Sequence, residues 1–101
     1  MITKYITERG GKIIFDDTFR IDHSFEILEA IDELKEDLLQ ASFPHDQIID
    51  IGWYPEFCEN GSFKVSLIKN LNWEQPISTN RAKDWNELYT AVLNTLKNLE
   101  T

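Results

Sequence analysis

Two apolar stretches joined by a short polar bend limit the fold more than any other feature of this chain. Ile48 to Tyr54 is apolar and β-branched, which suits a strand buried along most of its length. Phe63-Lys64-Val65-Ser66-Leu67 alternates strictly, so Phe63, Val65 and Leu67 are expected to share one buried face. The intervening Pro55-Glu56-Phe57-Cys58-Glu59-Asn60-Gly61 is of hairpin length, and its Asn-Gly pair supplies the positive φ that such a loop needs. A connection this short implies antiparallel neighbours.

The rest of the chain is read around that pair. Residues 2–8 alternate as a strand, Gly10-Gly11 signals a turn, and Lys12-Ile13-Ile14-Phe15 resumes β character, which predicts an N-terminal hairpin. Asp16-Asp17-Thr18 breaks it, and Phe19-Arg20-Ile21 extends or re-enters the sheet. From Ser24 to Ala41 the spacing predicts a helix capped by Asp22 or Ser24. Its apolar stripe is Ile27, Ile31, Leu34 and Leu38, with Leu28 and Ala41 on the flanks, and Phe43-Pro44-His45-Asp46 ends it. Asn70 to Pro76 forms a second connection, and Ile77-Ser78-Thr79-Asn80-Arg81 a short antiparallel strand. Asp84 caps a second helix, with Glu87 three residues on and a stripe of Trp85, Leu88, Val92, Leu96 and Leu99. The fold class expected is α+β: a small antiparallel sheet of about four to five strands with two helices packed on one face. The 101 residues are one domain's worth.

Apolar residues make up 42% of the chain and Gly and Pro are few, a globular composition that can form one modest core. No apolar run approaches the roughly 18 to 20 residues that span a bilayer. The opening Met1-Ile2-Thr3-Lys4-Tyr5-Ile6-Thr7-Glu8-Arg9 lacks the layout of a signal peptide, so Met1 is expected to begin the native chain and the protein to be cytoplasmic. Cys58 is alone, which fits a reducing compartment, and Asn60-Gly61-Ser62 reads as a turn rather than a glycosylation site.

Net charge is −8, and it is uneven. Residues 1–50 hold 5 basic and 12 acidic side chains, residues 51–101 hold 5 and 6. Such a chain repels phosphate backbones and anionic membranes and attracts a basic partner. On the helix expected over 24–41, Glu26, Glu29, Asp32, Glu33, Glu36 and Asp37 cluster opposite the apolar stripe, with Lys35 near its edge. Like charges three or four apart on a helix cost a few tenths of a kcal/mol each, so six such pairs sum to roughly 1–3 kcal/mol. A surface selected for solubility alone usually mixes both signs, so a one-sign flank has either a solvated face or a basic partner as its reason. In Gly52-Trp53-Tyr54-Pro55-Glu56-Phe57 three aromatics surround a tight bend. Trp53 is in phase with Ile49 and Ile51 and is expected inside, which leaves Tyr54 and Phe57 as the exposed candidates for contact with a partner.

Chemistry is less well signalled. His23 follows Asp22 and His45 precedes Asp46, which offers an acid and a base, but both fall at expected helix ends. Cys58 has no neighbouring His, no Gly-rich phosphate loop occurs, and two His with one Cys are too few for a closed structural zinc site. No catalytic residue, cofactor or metal is therefore assigned. Lys64 and Lys69 fall on opposite faces of one strand with Arg81 and Lys83 beyond, too weak a basic patch for nucleic acid.

Asp50-Ile51-Gly52-Trp53-Tyr54-Pro55-Glu56, then Asn60-Gly61-Ser62-Phe63-Lys64-Val65-Ser66-Leu67, resembles small bacterial immunity proteins of polymorphic toxin systems, those of contact-dependent growth inhibition in particular. Trp73-Glu74-Gln75-Pro76 and Arg81…Asp84-Trp85-Asn86-Glu87-Leu88 extend the likeness over about residues 48–99. The resemblance implies a cytoplasmic protein that binds and neutralises a cognate toxin domain, often a nuclease, by blocking its active site or its substrate's approach. It carries over no catalytic residues and no common binding surface. Two other readings stay open: an acidic regulatory or adaptor module for another basic protein, and a small hydrolase or isomerase using His23 or His45 with a carboxylate. The strand expected at 2–8 also offers an edge for a partner or for a homodimer.

Overall fold

The structure, a computed structural model, describes residues 2–24 and 26–101. The chain forms helix α1 (Ile2–Glu8), strands β1 (Lys12–Asp16), β2 (Leu39–Phe43), β3 (Gln47–Tyr54), β4 (Ser62–Lys69) and β5 (Ser78–Ala82), and helix α2 (Trp85–Leu96). Two 3₁₀ segments, Thr18–Arg20 and Ile27–Glu33, lie between β1 and β2. The five strands pair antiparallel in chain order, so the sheet is a meander and the fold is α+β.

The hairpin read from the sequence is β3–β4, with Ile49 opposite Leu67, Ile51 opposite Val65 and Trp53 opposite Phe63. These six side chains are buried on one face with Leu39, Ala41 and Phe43 of β2. Period two places every second residue there, and β-branched and aromatic side chains fill the pleated surface. Helix α2 lies over β4 and β5 and buries Trp85, Leu88, Val92 and Leu96 in the same cluster. Asp84 caps it by accepting a hydrogen bond from the Glu87 backbone N–H at 2.8 Å. The Glu87 carboxylate reaches back to the Lys83 N–H, one residue before the cap, at 2.8 Å. Asn80 of β5 donates to Thr95 of α2, and the Arg9 guanidinium donates to the Leu96 carbonyl, one of those left open at the helix end.

Three expectations are corrected, the smallest being that Phe19-Arg20-Ile21 does not join the sheet, since Thr18–Arg20 is a 3₁₀ segment with Ile21 at its end. Residues 2–8 are a helix, not a strand. Ile2 and Ile6 satisfy a four-residue spacing as well as an alternation, and both are buried against the sheet. Gly10-Gly11 ends this helix: Gly11 N–H donates to Ile6 O at 3.0 Å and Gly10 N–H to Thr7 O at 3.1 Å, with Gly10 at φ 89°. That is the Schellman pattern, whose left-handed residue is best served by glycine. The edge proposed for homodimer pairing is therefore not at 2–8; the outer strands are β1 and β5.

The third correction concerns 24–41, which is not one α-helix. It contains the 3₁₀ segment, an irregular stretch over 34–38, and β2. The stripe still turns inward, since Leu34 and Leu38 are fully buried and Ile27 and Ile31 pack on the core. Leu39, Ala41 and Phe43 alternate, however, and that alternation places β2 between β1 and β3. Pro44-His45-Asp46, expected as a helix stop, is the β2–β3 turn, with His45 and Asp46 at positive φ. Among the described residues, Phe57 carries the positive φ in the β3–β4 loop, while Gly61 is needed for room: a Cβ there would stand 2.6 Å from Trp53 Nε1.

Candidate functional site

The helices occupy one face of the sheet, and the other carries a polar row. Gln40, Asp50, Ser66 and Thr79 stand side by side across β2 to β5. Gly52, Lys64 and Arg81 form the next row. Asp50 is only 8% exposed, and among the described residues its carboxylate accepts one side-chain hydrogen bond, from Gln40 Nε2 at 3.3 Å. Burial pushes its pKa up; Asp37 adds to the rise, while Gln40 and Lys64 oppose it. Ser66 is 3% exposed, and its hydroxyl has no hydrogen-bond partner among the described residues. The Lys64 ammonium stands 4.5 Å from the centre of the Tyr54 ring. Burial raises the Tyr54 hydroxyl pKa, and the charges of Asp50, Glu36 and Asp37 raise it further.

A bulge in the backbone delivers the acidic residues to this face. Trp53 N–H donates to Lys35 O at 2.9 Å and Leu38 N–H to Ile51 O at 3.0 Å, so Glu36 and Asp37 are set out between two anchored neighbours. The Glu36 carbonyl lies 1.8 Å from where a Cβ on Gly52 would be, so only glycine fits beneath it. Phe57 N–H donates to Leu34 O at 2.7 Å, and Lys35 pairs with Asp17 at 2.8 Å. The hydrogen bond from Lys35 holds the Asp17 carboxyl below the usual range.

All six carboxylates singled out in the sequence are exposed, but they do not share one flank. Glu26 lines a groove of about 400 Å³ with His23, Trp85 and Asn86. Glu29 stands exposed on the 3₁₀ segment. Asp32 and Glu33 line a groove of about 230 Å³ with Arg20 and Phe57, which is half-exposed. Glu36 and Asp37 sit by Tyr54 and Asp50. The structure therefore groups Tyr54 with Glu36 and Asp37, and Phe57 with Asp32 and Glu33. Asp50, Ser66, Gln40 and Lys64 are additions that sequence reasoning missed. The available signals were a charged residue inside a β-branched run and a glycine inside the same strand.

The histidines are placed differently from a catalytic pair. His23 stacks on Trp85 with centroids 4.0 Å apart and planes 5° from parallel. Its Nε2 lies 2.9 Å from the Thr18 carbonyl, which only accepts, so Nε2–H is the donor and Nδ1 faces the Tyr89 hydroxyl at 2.7 Å. His45 is exposed in the β2–β3 turn. Among the described residues, no three His, Cys, Asp or Glu side chains gather as a metal-ligand set, and no helix is long and apolar enough to cross a membrane. Comparison with protein-family models, curated proteins and solved structures finds no match.

Proposed function

We propose that this chain binds a cationic protein and neutralises it, as an immunity protein does with a cognate toxin domain, a nuclease being the class its charge best suits. The observation that carries this reading is the exposed acidic segment: Glu26, Glu29, Asp32, Glu33, Glu36 and Asp37 make no salt bridge among the described residues. Carboxylates left open on a chain of net charge −8 favour encounter with a basic surface and occupy the ground a nucleic acid would take. The support is independent of a helical flank. It rests on exposure and sign, with Tyr54 and Phe57 as aromatic neighbours of two acidic groups. The reading carries a bacterial cytoplasmic location with it, and no cofactor. A regulatory or adaptor module with another basic partner would use the same surface. The stacking of His23 on Trp85 and the engagement of both its ring nitrogens by Thr18 and Tyr89 favour binding over catalysis as the role of this chain.

The test is co-purification with the product of the neighbouring upstream gene, followed by association kinetics at rising salt. The expected result is an on-rate that falls steeply as salt rises, and falls again when Glu29, Asp32 and Glu33 are replaced by lysine. A partner that binds this triple variant with unchanged rate and strength sinks the electrostatic mechanism. Failure to find any basic protein partner sinks the reading itself.

A further inference from the structure

Building on the cationic partner proposed above, we propose that the open face of the sheet is a receptor for one arginine side chain of that partner, with Asp50 as its anchor, Asp37 at its rim and Tyr54 as its stacking platform. Two observations beyond the acidic segment point to a missing group. The Asp50 carboxylate has room for about four hydrogen bonds, is 8% exposed, and receives only the long bond from Gln40 among the described residues. Ser66, its neighbour across β3–β4 on the same face, is 3% exposed with its hydroxyl unpartnered. Buried polar groups are nearly always satisfied; the Ser66 hydroxyl is an exception, and the Asp50 carboxylate beside it keeps unused acceptor capacity, both on the sheet face opposite the helices, which marks a place where another donor belongs.

Charge selects the donor. The Asp50 and Asp37 carboxylates lie close enough to act on one another, so the place favours a cationic donor over a neutral one. A guanidinium suits the place better than an ammonium. It gives two parallel N–H bonds to one carboxylate, stacks on an aromatic ring and is more weakly hydrated. The protein's own Lys64 already stands over the Tyr54 ring and acts as an internal occupant that the incoming arginine displaces.

The probe is N-acetyl-arginine-amide, titrated into the full chain and followed by amide chemical shifts, with N-acetyl-lysine-amide in parallel. Saturable shifts centred on Asp50, Tyr54 and Ser66 are expected, with arginine binding about threefold more tightly than lysine. Asp50→Asn keeps the shape and the Gln40 bond and is expected to weaken the probe about tenfold. Lys64→Met keeps the aliphatic stem, removes the resident ammonium and is expected to tighten it about threefold. Absence of saturable shifts at these residues in both the native chain and Lys64→Met overturns the proposal. So do shifts that survive Asp50→Asn unchanged. A protein partner that binds Asp50→Asn with native affinity overturns the arginine receptor and leaves the cationic-partner reading standing. Arginine binding with no basic protein partner found does the reverse.

Discussion

The β3–β4 hairpin and the segment from Glu26 to Leu38 lie against one another and are held by opposite means. The hairpin is regular, is flanked by strands on both sides, and buries Ile49, Ile51, Trp53, Phe63, Val65 and Leu67. The acidic segment is irregular and exposes its six carboxylates. It is fixed by Leu34 and Leu38 in the core, by three backbone bonds to the hairpin, and by the Lys35–Asp17 pair. Regular structure arises where period and packing agree. An irregular surface keeps a shape where a few buried anchors fix it. Stability is therefore expected to reside in the hairpin, and recognition in what the hairpin holds.

The largest expected effect breaks the hairpin. Trp53 is 1% exposed, meets Phe63 edge-on at 4.9 Å and donates from Nε1 to Cys58 O at 2.8 Å. Trp53→Ala is expected to lower stability by about 4 kcal/mol, measured by denaturant unfolding. Next is Gly52→Ala, which sets a methyl group against the Glu36 carbonyl and is expected to cost about 2 kcal/mol. Amide exchange should rise over 35–38 in that variant, because the bulge must move. Protection there equal to the native chain would show that the two regions are not coupled through this contact.

A smaller effect is read from pH. The folded pKa of Asp50 lies above its ordinary 3.8, so the fold favours the protonated form. Its contribution is fully present below pH 3.8 and lost as pH rises through the folded value, since the unfolded chain ionises first. Asp50→Asn should therefore be more stable than the native chain at neutral pH, and the difference should close on acidification. Asp37 from the bulge adds to the effect of burial on Asp50, while Gln40 from β2 and Lys64 from β4 oppose it. A pH-independent difference would remove burial of the charge as its cause. The smallest effect belongs to the acidic segment. Replacing Glu29, Asp32 and Glu33 by lysine is expected to move Tm by no more than a few degrees, as exposed substitutions usually do. A large rise in Tm would mean that these carboxylates repel one another as strongly as on a continuous helix.

What the sequence disclosed follows the same division. β3, β4 and α2 were legible from an apolar β-branched run, a strict alternation and a capped three-and-four stripe, and β5 as the short segment between a connection and the Asp84 cap. Residues 2–8 carry two periods at once, and neighbours decided between them by burying Ile2 and Ile6 together. Over 24–41 the three-and-four spacing of Ile27, Ile31, Leu34 and Leu38 hid the alternation of Leu39, Ala41 and Phe43, which becomes compelling only when β1 and β3 are present to pair with it. The puzzle of like charges on one helix has a local answer, since the segment that holds them is not one α-helix. Asp50 and Ser66 were not legible as site residues, because a polar side chain inside a strand shows its solvation only when the sheet is assembled.

One hydrogen atom at Gly52 has a consequence for binding. By admitting the Glu36 carbonyl, it lets the outer segment adopt its shape as the chain folds, before any partner arrives. Association then sacrifices less conformational freedom, and more of the contact energy is retained as affinity.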